Sequence, residues 1–223
     1  TNDRTGERHF LVMEYCDSGT LEKYITDHSP LDRPCLLHFL ADICKGLFYL
    51  HFRKNILHRD LKLSNFLLKR TKDAPFPTVK LCDFGSATRL TEAMSEYVAS
   101  PFFAAPEMKE GVVYTSKVDV WSLGCCLLWM ATGRRIFAGI DEDYGVLLDR
   151  REPVDIPTTL PGALHELLAG MLQYDWKERL GWTAVFAHAY VQECHRERED
   201  RPGDATNYQI LHDLGRGSFG VVM

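Results

Sequence analysis

The 223-residue chain carries no excess of positive charge: 26 Lys and Arg stand against 31 Asp and Glu, a formal net charge of −5. A nucleic-acid or anionic-membrane surface needs the opposite balance, so neither is expected as a partner. The seven cysteines (16, 35, 44, 82, 125, 126 and 194) form no C-x-x-C pair. Such an odd, scattered set lacks metal-ligand spacing and reads as free thiols in a reducing, cytoplasmic compartment. The most apolar stretch, "VDVWSLGCCLLWMATG", is shorter than the roughly 18 to 20 residues of a membrane span and contains Asp119, so a buried helix is expected there. The opening "TNDRTGERHF" is too polar for a secretory signal, and no internal repeat is found. What remains is 45% hydrophobic and 11% aromatic, enough for a globular protein with a sizeable core.

The pattern along the chain predicts a mixed α+β protein with most of its helix in the second half. "HFLVMEYC" (9–16) is β-branched and aromatic, as a short buried strand would be. Thr20 is placed to cap a short helix. In 34–52, Leu36, Leu40, Ile43, Leu47 and Leu50 step by three and four residues, one face of a long helix. "NFLL" and "TVKLCDF" read as two short strands joined by the loop "KRTKDAPFPT". After an irregular stretch to about Pro106, helices are expected over 117–132, over 162–172 (Leu164, Leu167, Leu168, Met171, Leu172) and over 183–194. The charged "HREREDRPGDATN" (195–207) reads as a linker, and "YQILHDLG" after it has strand character.

The chemistry is concentrated in two loops. "HRDLKLSN" (58–65) places a carboxylate, an ammonium and an amide on one turn, and "DFG" (83–85) adds a second carboxylate directly after a strand. Phosphoryl transfer uses such a set: a carboxylate to orient a hydroxyl, a cation to neutralise the migrating group, and hard oxygen ligands for Mg2+.

"HRDLKLSN", "DFG", "APE" (105–107) and "DVWSLG" (119–124) stand in the order and spacing of the eukaryotic protein kinases. The chain resembles the large lobe of that family over residues 9–194, with a separate match at 208–223. The resemblance implies a protein-kinase-like α+β fold: a mainly helical large lobe (17–194), a last small-lobe strand and hinge (1–16), and a small lobe otherwise largely missing. It implies Asp60 as catalytic base, Lys62 at the γ-phosphate, and Asn65 and Asp83 as magnesium ligands. His58 and Phe84 would stack in the family's apolar column beside Gly85, and Asp119 would anchor the catalytic-loop backbone. Glu107 would pair with Arg179. Met13 would be the gatekeeper, Glu14 and Cys16 would meet adenine through their backbone, and Leu67 would lie beneath it. Cys82 would offer a thiol facing the nucleotide or, equally, a small buried side chain. Lys62 and Ser100, which would contact Asp60 and Lys62, resemble the Ser/Thr members; Phe103 stands where Tyr is commoner. ATP, Mg2+ and a Ser/Thr-bearing protein substrate are the implied ligands. Within the family, the autophagy-initiating and NEK-like kinases both remain open.

"LGRGSFGVVM" (214–223) ends the sequence with Gly215, Gly217, Gly220 and Val222 in the family's phosphate-covering pattern, although the family opens with it. The lysine strand and glutamate helix that normally follow are not found in the sequence. A segment of a tandem-kinase polyprotein, a partial or misassembled product, or a circular permutant would each account for this, the permutant being least favoured. On this reading the domain is incomplete or rearranged, and the 223 residues alone transfer phosphate orders of magnitude more slowly than a complete kinase. The alternative function is a non-catalytic kinase-like binding module.

Arg59, beside the Asp implied as catalytic, is suited to pair with a phosphate on the activation segment, where Thr88, Thr91, Ser95 and Tyr97 are candidate acceptors. One phosphosite is therefore expected among residues 88–100. Phosphopeptide mapping of active protein that found none there would overturn it.

Overall fold

The computed structural model describes residues 12–72, 74–90, 99–109 and 113–199. Helix α1 (Leu21–His28) begins where expected: Thr20 Oγ1 accepts from Lys23 N at 3.2 Å. Helix α2 (Arg33–Phe48) starts on Asp32, whose carboxylate accepts from Cys35 N at 2.9 Å, with Pro34 in the first turn where no donor is lost. The predicted stripe of Leu36, Leu40, Ile43, Leu47 and Leu50 is buried. Beyond Phe48 the helix widens into a five-residue π turn, Tyr49–Arg53. Among the described residues, Arg33–Arg53 is the helix long and apolar enough to cross a membrane, not the 117–132 segment. Its most apolar window is 72% buried, and helix α8 (Ala189–Glu199) and strand β3 (Thr78–Leu81) pack on it, as on a core helix.

Two small antiparallel ladders carry the loops. Strand β1 (Ile56–Leu57) pairs with β4 (Thr88–Arg89). Strand β2 (Phe66–Lys69) pairs with β3 from Phe66↔Leu81 to Lys69↔Thr78. The second ladder is fixed to α2 by the buried Asp42, whose Oδ2 accepts from Val79 N at 2.9 Å.

The rest of the lobe is built around α4 (Lys117–Thr132), the expected buried helix. It includes no continuous polar face; Val118 through Leu128 are all buried. Gly124 lets it approach α6 (Gly162–Met171): a Cβ there would lie 2.9 Å from Leu172 Cδ2 and 3.1 Å from Met171 Cβ. Gly133 ends it at φ 74°, returning its N–H to Trp129 O at 2.8 Å. Short helices α3 (Pro106–Lys109), α5 (Tyr144–Asp149) and α7 (Trp182–Ala187) complete the layer.

Three expectations differ. Residues 12–16 form no strand, and Val12, Met13 and Tyr15 are exposed. A β-rich stretch needs a neighbour to pair with; the largely missing small lobe already implied that this one would be poorly supported, and none of the described residues supplies a partner. The single helix over 183–194 is two, broken at His188, whose ψ of 139° is extended. The second of them continues to Glu199, so 195–199 of the expected linker are helical. The remaining linker and "YQILHDLG" lie outside the described residues.

Glu107 of α3 meets Arg179 as the sequence predicts, through Oε1 to Nη1 at 2.6 Å and Oε2 to Nη2 at 2.9 Å, with both residues buried. The guanidinium also lies over the Trp121 ring, 5.1 Å from its centre, and donates to Lys117 O and Gln173 O. A planar fork with five donors is nearly saturated here, the condition under which a buried ion pair offsets its desolvation. Arg179→Met is expected to cost about 3–5 kcal/mol by stranding the Glu107 carboxylate. Adding Glu107→Leu should recover only part, because the two carbonyls stay without their donor. Urea melts of the parent and the two variants check this; a loss within about 0.5 kcal/mol for Arg179→Met, as at an ordinary surface site, would contradict it.

Candidate active site

The loop between β1 and β2 is held from below by one carboxylate. Asp119, in the first turn of α4 and fully buried, accepts from His58 N through Oδ2 and from Arg59 N through Oδ1, both at 2.8 Å. His51, from the π turn, brings Nε2 to 3.2 Å of Oδ2 and stacks on Trp182. Burial pushes the Asp119 carboxyl upward; the His51 side chain, the His58 ring and the His58 backbone N–H outweigh it and hold it below the ordinary range. The anchoring predicted for Asp119 is thus seen, and His51 is a partner that the sequence did not single out. No periodicity marks it, since its role depends on a residue 68 positions away.

Above this anchor the turn is closely bonded. Arg59 has φ 68°, a left-handed conformation unusual for a long side chain. Its Nε donates to Ser86 O and its Nη1 to Tyr114 Oη. His58 is buried, which lowers its pKa, and its ring contacts define a neutral tautomer: Nε2 donates to Cys82 O at 3.0 Å and Nδ1 faces Asp60 N at 3.4 Å. Its ring lies 5.2 Å from that of Phe84.

Asp60, Lys62, Asn65 and Ser100 come together. Asp60 Oδ1 accepts from Ser100 N at 3.0 Å, and Oδ2 accepts from Lys62 Nζ at 2.8 Å. The same ammonium donates to Ser100 Oγ at 2.8 Å. Asn65 Nδ2 donates to Asp60 O at 2.9 Å, so the amide oxygen is left for another partner. Cys82 N donates to Asn65 O at 2.9 Å, which fixes the start of the second loop against the first. Asp83 follows at φ 62° with an exposed carboxylate, whose Oδ1 accepts from Gly85 N at 3.3 Å. An exposed carboxylate and an amide oxygen on adjoining loops suit a hard cation that keeps some of its water, as Mg2+ does. No cluster of three or more His, Cys, Asp or Glu with metal-binding geometry occurs among the described residues, so a dedicated transition-metal cage is not what these side chains make.

The segment ahead of α1 lies beside the β2–β3 hairpin. Glu14 directs its carboxylate to Lys69 Nζ at 2.5 Å and Lys80 Nζ at 3.3 Å. Met13 is half-exposed, while Cys16 and Leu67 are partly buried. Cys82 is partly buried too, and burial first, then the nearby Asp83, pushes its thiol up to about 11. It is therefore a neutral side chain at ordinary pH, in keeping with the less reactive of its two readings. Phe103 is buried against Trp129, with ring centres 6.2 Å apart, and Ser122 Oγ donates to its carbonyl at 2.7 Å. Gly215, Gly217, Gly220 and Val222, and the acceptors Thr91, Ser95 and Tyr97, lie outside the described residues.

This arrangement agrees with what the chain is similar to. Residues 3–191 match the family described as Protein kinase domain. Serine/threonine-protein kinase ATG1a of Arabidopsis thaliana is 34% identical over 196 residues, 85% of this chain and 31% of the relative. Serine/threonine-protein kinase atg1 of Dictyostelium discoideum is 32% identical, over 82% of this chain and 27% of the relative. Human serine/threonine-protein kinase ULK1 is 31% identical, over 89% of this chain and 20% of the relative. The chain thus spans less than a third of the length of these relatives. With the catalytic-loop and "DFG" residues bonded as above and the family match covering residues 3–191, the chain belongs to the protein kinase domain family.

Proposed function

We propose that the protein carrying this chain transfers the γ-phosphoryl group of ATP to Ser or Thr hydroxyls of protein substrates, in a reducing intracellular compartment. The observation that carries the proposal is the closed set Asp60–Lys62–Ser100. Asp60 is oriented on both oxygens and remains an acceptor for a substrate hydroxyl, aligning it and taking its proton. Lys62, with its third N–H unoccupied by these two bonds, faces the charge that develops on the migrating group. Asn65 and Asp83 would hold Mg2+, which when bound neutralises phosphate charge. Met13, the backbone of Glu14 and Cys16, and Leu67 would border the adenine, and the glycines at 215, 217 and 220 with Val222 match the phosphate-covering pattern. Ser/Thr selectivity is supported by the Lys62–Ser100 bond and by the names of the relatives. The seven free thiols support the compartment.

Arg59 stays the proposed receptor for a phosphate on the activation segment. Its existing bonds to Ser86 O and Tyr114 Oη keep the guanidinium beside that segment.

The test is phosphate transfer from Mg-ATP to mixed Ser, Thr and Tyr peptides by the protein that carries this chain. Transfer to Ser and Thr peptides is expected. Asp60→Asn, which keeps the size and loses the base, should slow it roughly 100- to 10,000-fold. Undiminished turnover in Asp60→Asn would remove Asp60 from the reaction. No transfer by the parent protein, with folding intact, would leave the non-catalytic binding module as the reading.

A further inference from the structure

We propose that Lys69 and Lys80 act together as a clamp that positions the adenine-contacting segment, through the Glu14 carboxylate they share. The inference rests on the kinase reading above, because it assigns the clamp a nucleotide to position.

Residues 12–16 have no ladder among the described residues to hold them. From Ser18 onward the chain is fixed by backbone: Ser18 N donates to Leu68 O at 3.0 Å, Leu68 N to Gly19 O at 2.8 Å, and Thr20 bridges Leu67. Just ahead, the Asp17 carboxylate accepts from Arg70 N at 2.8 Å. Further back the tie is Glu14, with one oxygen on Lys69 and the other on Lys80. Every one of these contacts lands on the β2–β3 hairpin.

The hairpin register explains why two lysines reach one carboxylate. Leu67 pairs with Lys80 and Lys69 with Thr78, so Lys69 and Lys80 are diagonal neighbours on adjoining strands. At that separation, long side chains on one face can meet the same group. The Lys69 ammonium, by hydrogen bond and charge, holds the Glu14 carboxyl below its ordinary value, and Glu14 raises Lys69 in return. Leu67, the proposed floor of the adenine slot, is the cross-strand partner of Lys80 and stands two residues from Lys69 on the same strand. The hairpin that forms the floor therefore also sets the position of the edge.

Both ion pairs are partly exposed, so the clamp is modest in strength and screened by salt. This gives it a signature that a purely structural lysine lacks. Adenosine has no phosphate and no charge, so salt acts on its binding mainly through the protein.

The experiment compares the parent protein with Lys69→Met, Lys80→Met and the double variant. It measures adenosine Kd by calorimetry in low and high NaCl, and amide exchange at residues 12–17. The double variant should bind adenosine about 3- to 10-fold more weakly at low salt, the loss expected of two exposed pairs. High salt should weaken the parent and leave the double variant nearly unchanged. Exchange at 12–17 should quicken in the variants, and Lys69→Arg should keep most of the parent's affinity. Equal Kd in the parent and the double variant overturns the clamp and leaves the kinase reading standing. A parent that is folded yet binds neither adenosine nor Mg-ATP overturns both.

Discussion

A fully buried carboxylate with two backbone amides on it is the constraint from which the active region of this lobe is built. Asp119 is removed from water, and an unpaired charge there would be strongly unfavourable. It is tolerated because His58 N and Arg59 N approach both oxygens, His51 adds a third contact, and the first turn of a helix favours a negative charge. The cost of burial and the geometry of the loop are therefore one problem with one solution. The amides must turn toward α4, and that turn is what gives Arg59 its positive φ. A left-handed non-glycine residue costs on the order of 1–2 kcal/mol, a sum within reach of two charge-assisted hydrogen bonds. With the backbone at 58 and 59 fixed, Asp60 has little choice of direction.

A second constraint acts from the side. The β2–β3 ladder sets Asn65 opposite Cys82, whose N–H bonds the Asn65 carbonyl. That bond, with those from His58 to Cys82 O and from Arg59 to Ser86 O, relates the loop bearing Asp60 to the loop bearing Asp83. The ladder is in turn held to α2 by Asp42, so both loops are tied to that core helix. The same hairpin reaches forward to Glu14 and Ser18. Leu67, the segment around Glu14 and the loops bearing Asn65 and Asp83 thus share one support only four residues long on each strand.

Much of this was legible in the sequence where chemistry and periodicity are local. "HRDLKLSN" and "DFG" are short, and their residue types admit few other uses, so Asp60, Lys62, Asn65 and Asp83 could be singled out. The stripe from Leu36 to Leu50 and the Glu107–Arg179 pair followed from helical spacing and from family resemblance. The illegible parts depend on distant partners. Residues 12–16 have the composition of a strand, but a strand is a relation between segments and composition cannot supply a neighbour among the described residues. His51 looks like any histidine at a helix end until Asp119 and Trp182 are placed around it. Lys69 and Lys80 look like solvated charges until the hairpin register sets them on one face. The break at His188 separates two apolar patterns that read as continuous, because Val185, Tyr190 and Val191 are all buried on either side of it.

The bonds around Lys62 bear on how the proposed site would be organised ahead of a substrate. An ammonium offers three donors, and here two are taken, by Asp60 Oδ2 and Ser100 Oγ. Were Lys62 paired with Asp60 alone, its long side chain would keep much of its rotamer freedom, and ordering it in the transition state would raise the barrier. The second bond, to a residue of the activation segment, fixes the position of the ammonium. It also makes that placement conditional on the segment, since Ser100 contributes both its N–H to Asp60 and its hydroxyl to Lys62. Displacing residue 100 would release Asp60 and Lys62, the base and cation of the proposed reaction, in one movement. The catalytic loop alone therefore does not define the proposed active geometry; it is defined jointly with the segment that carries the expected phosphosite.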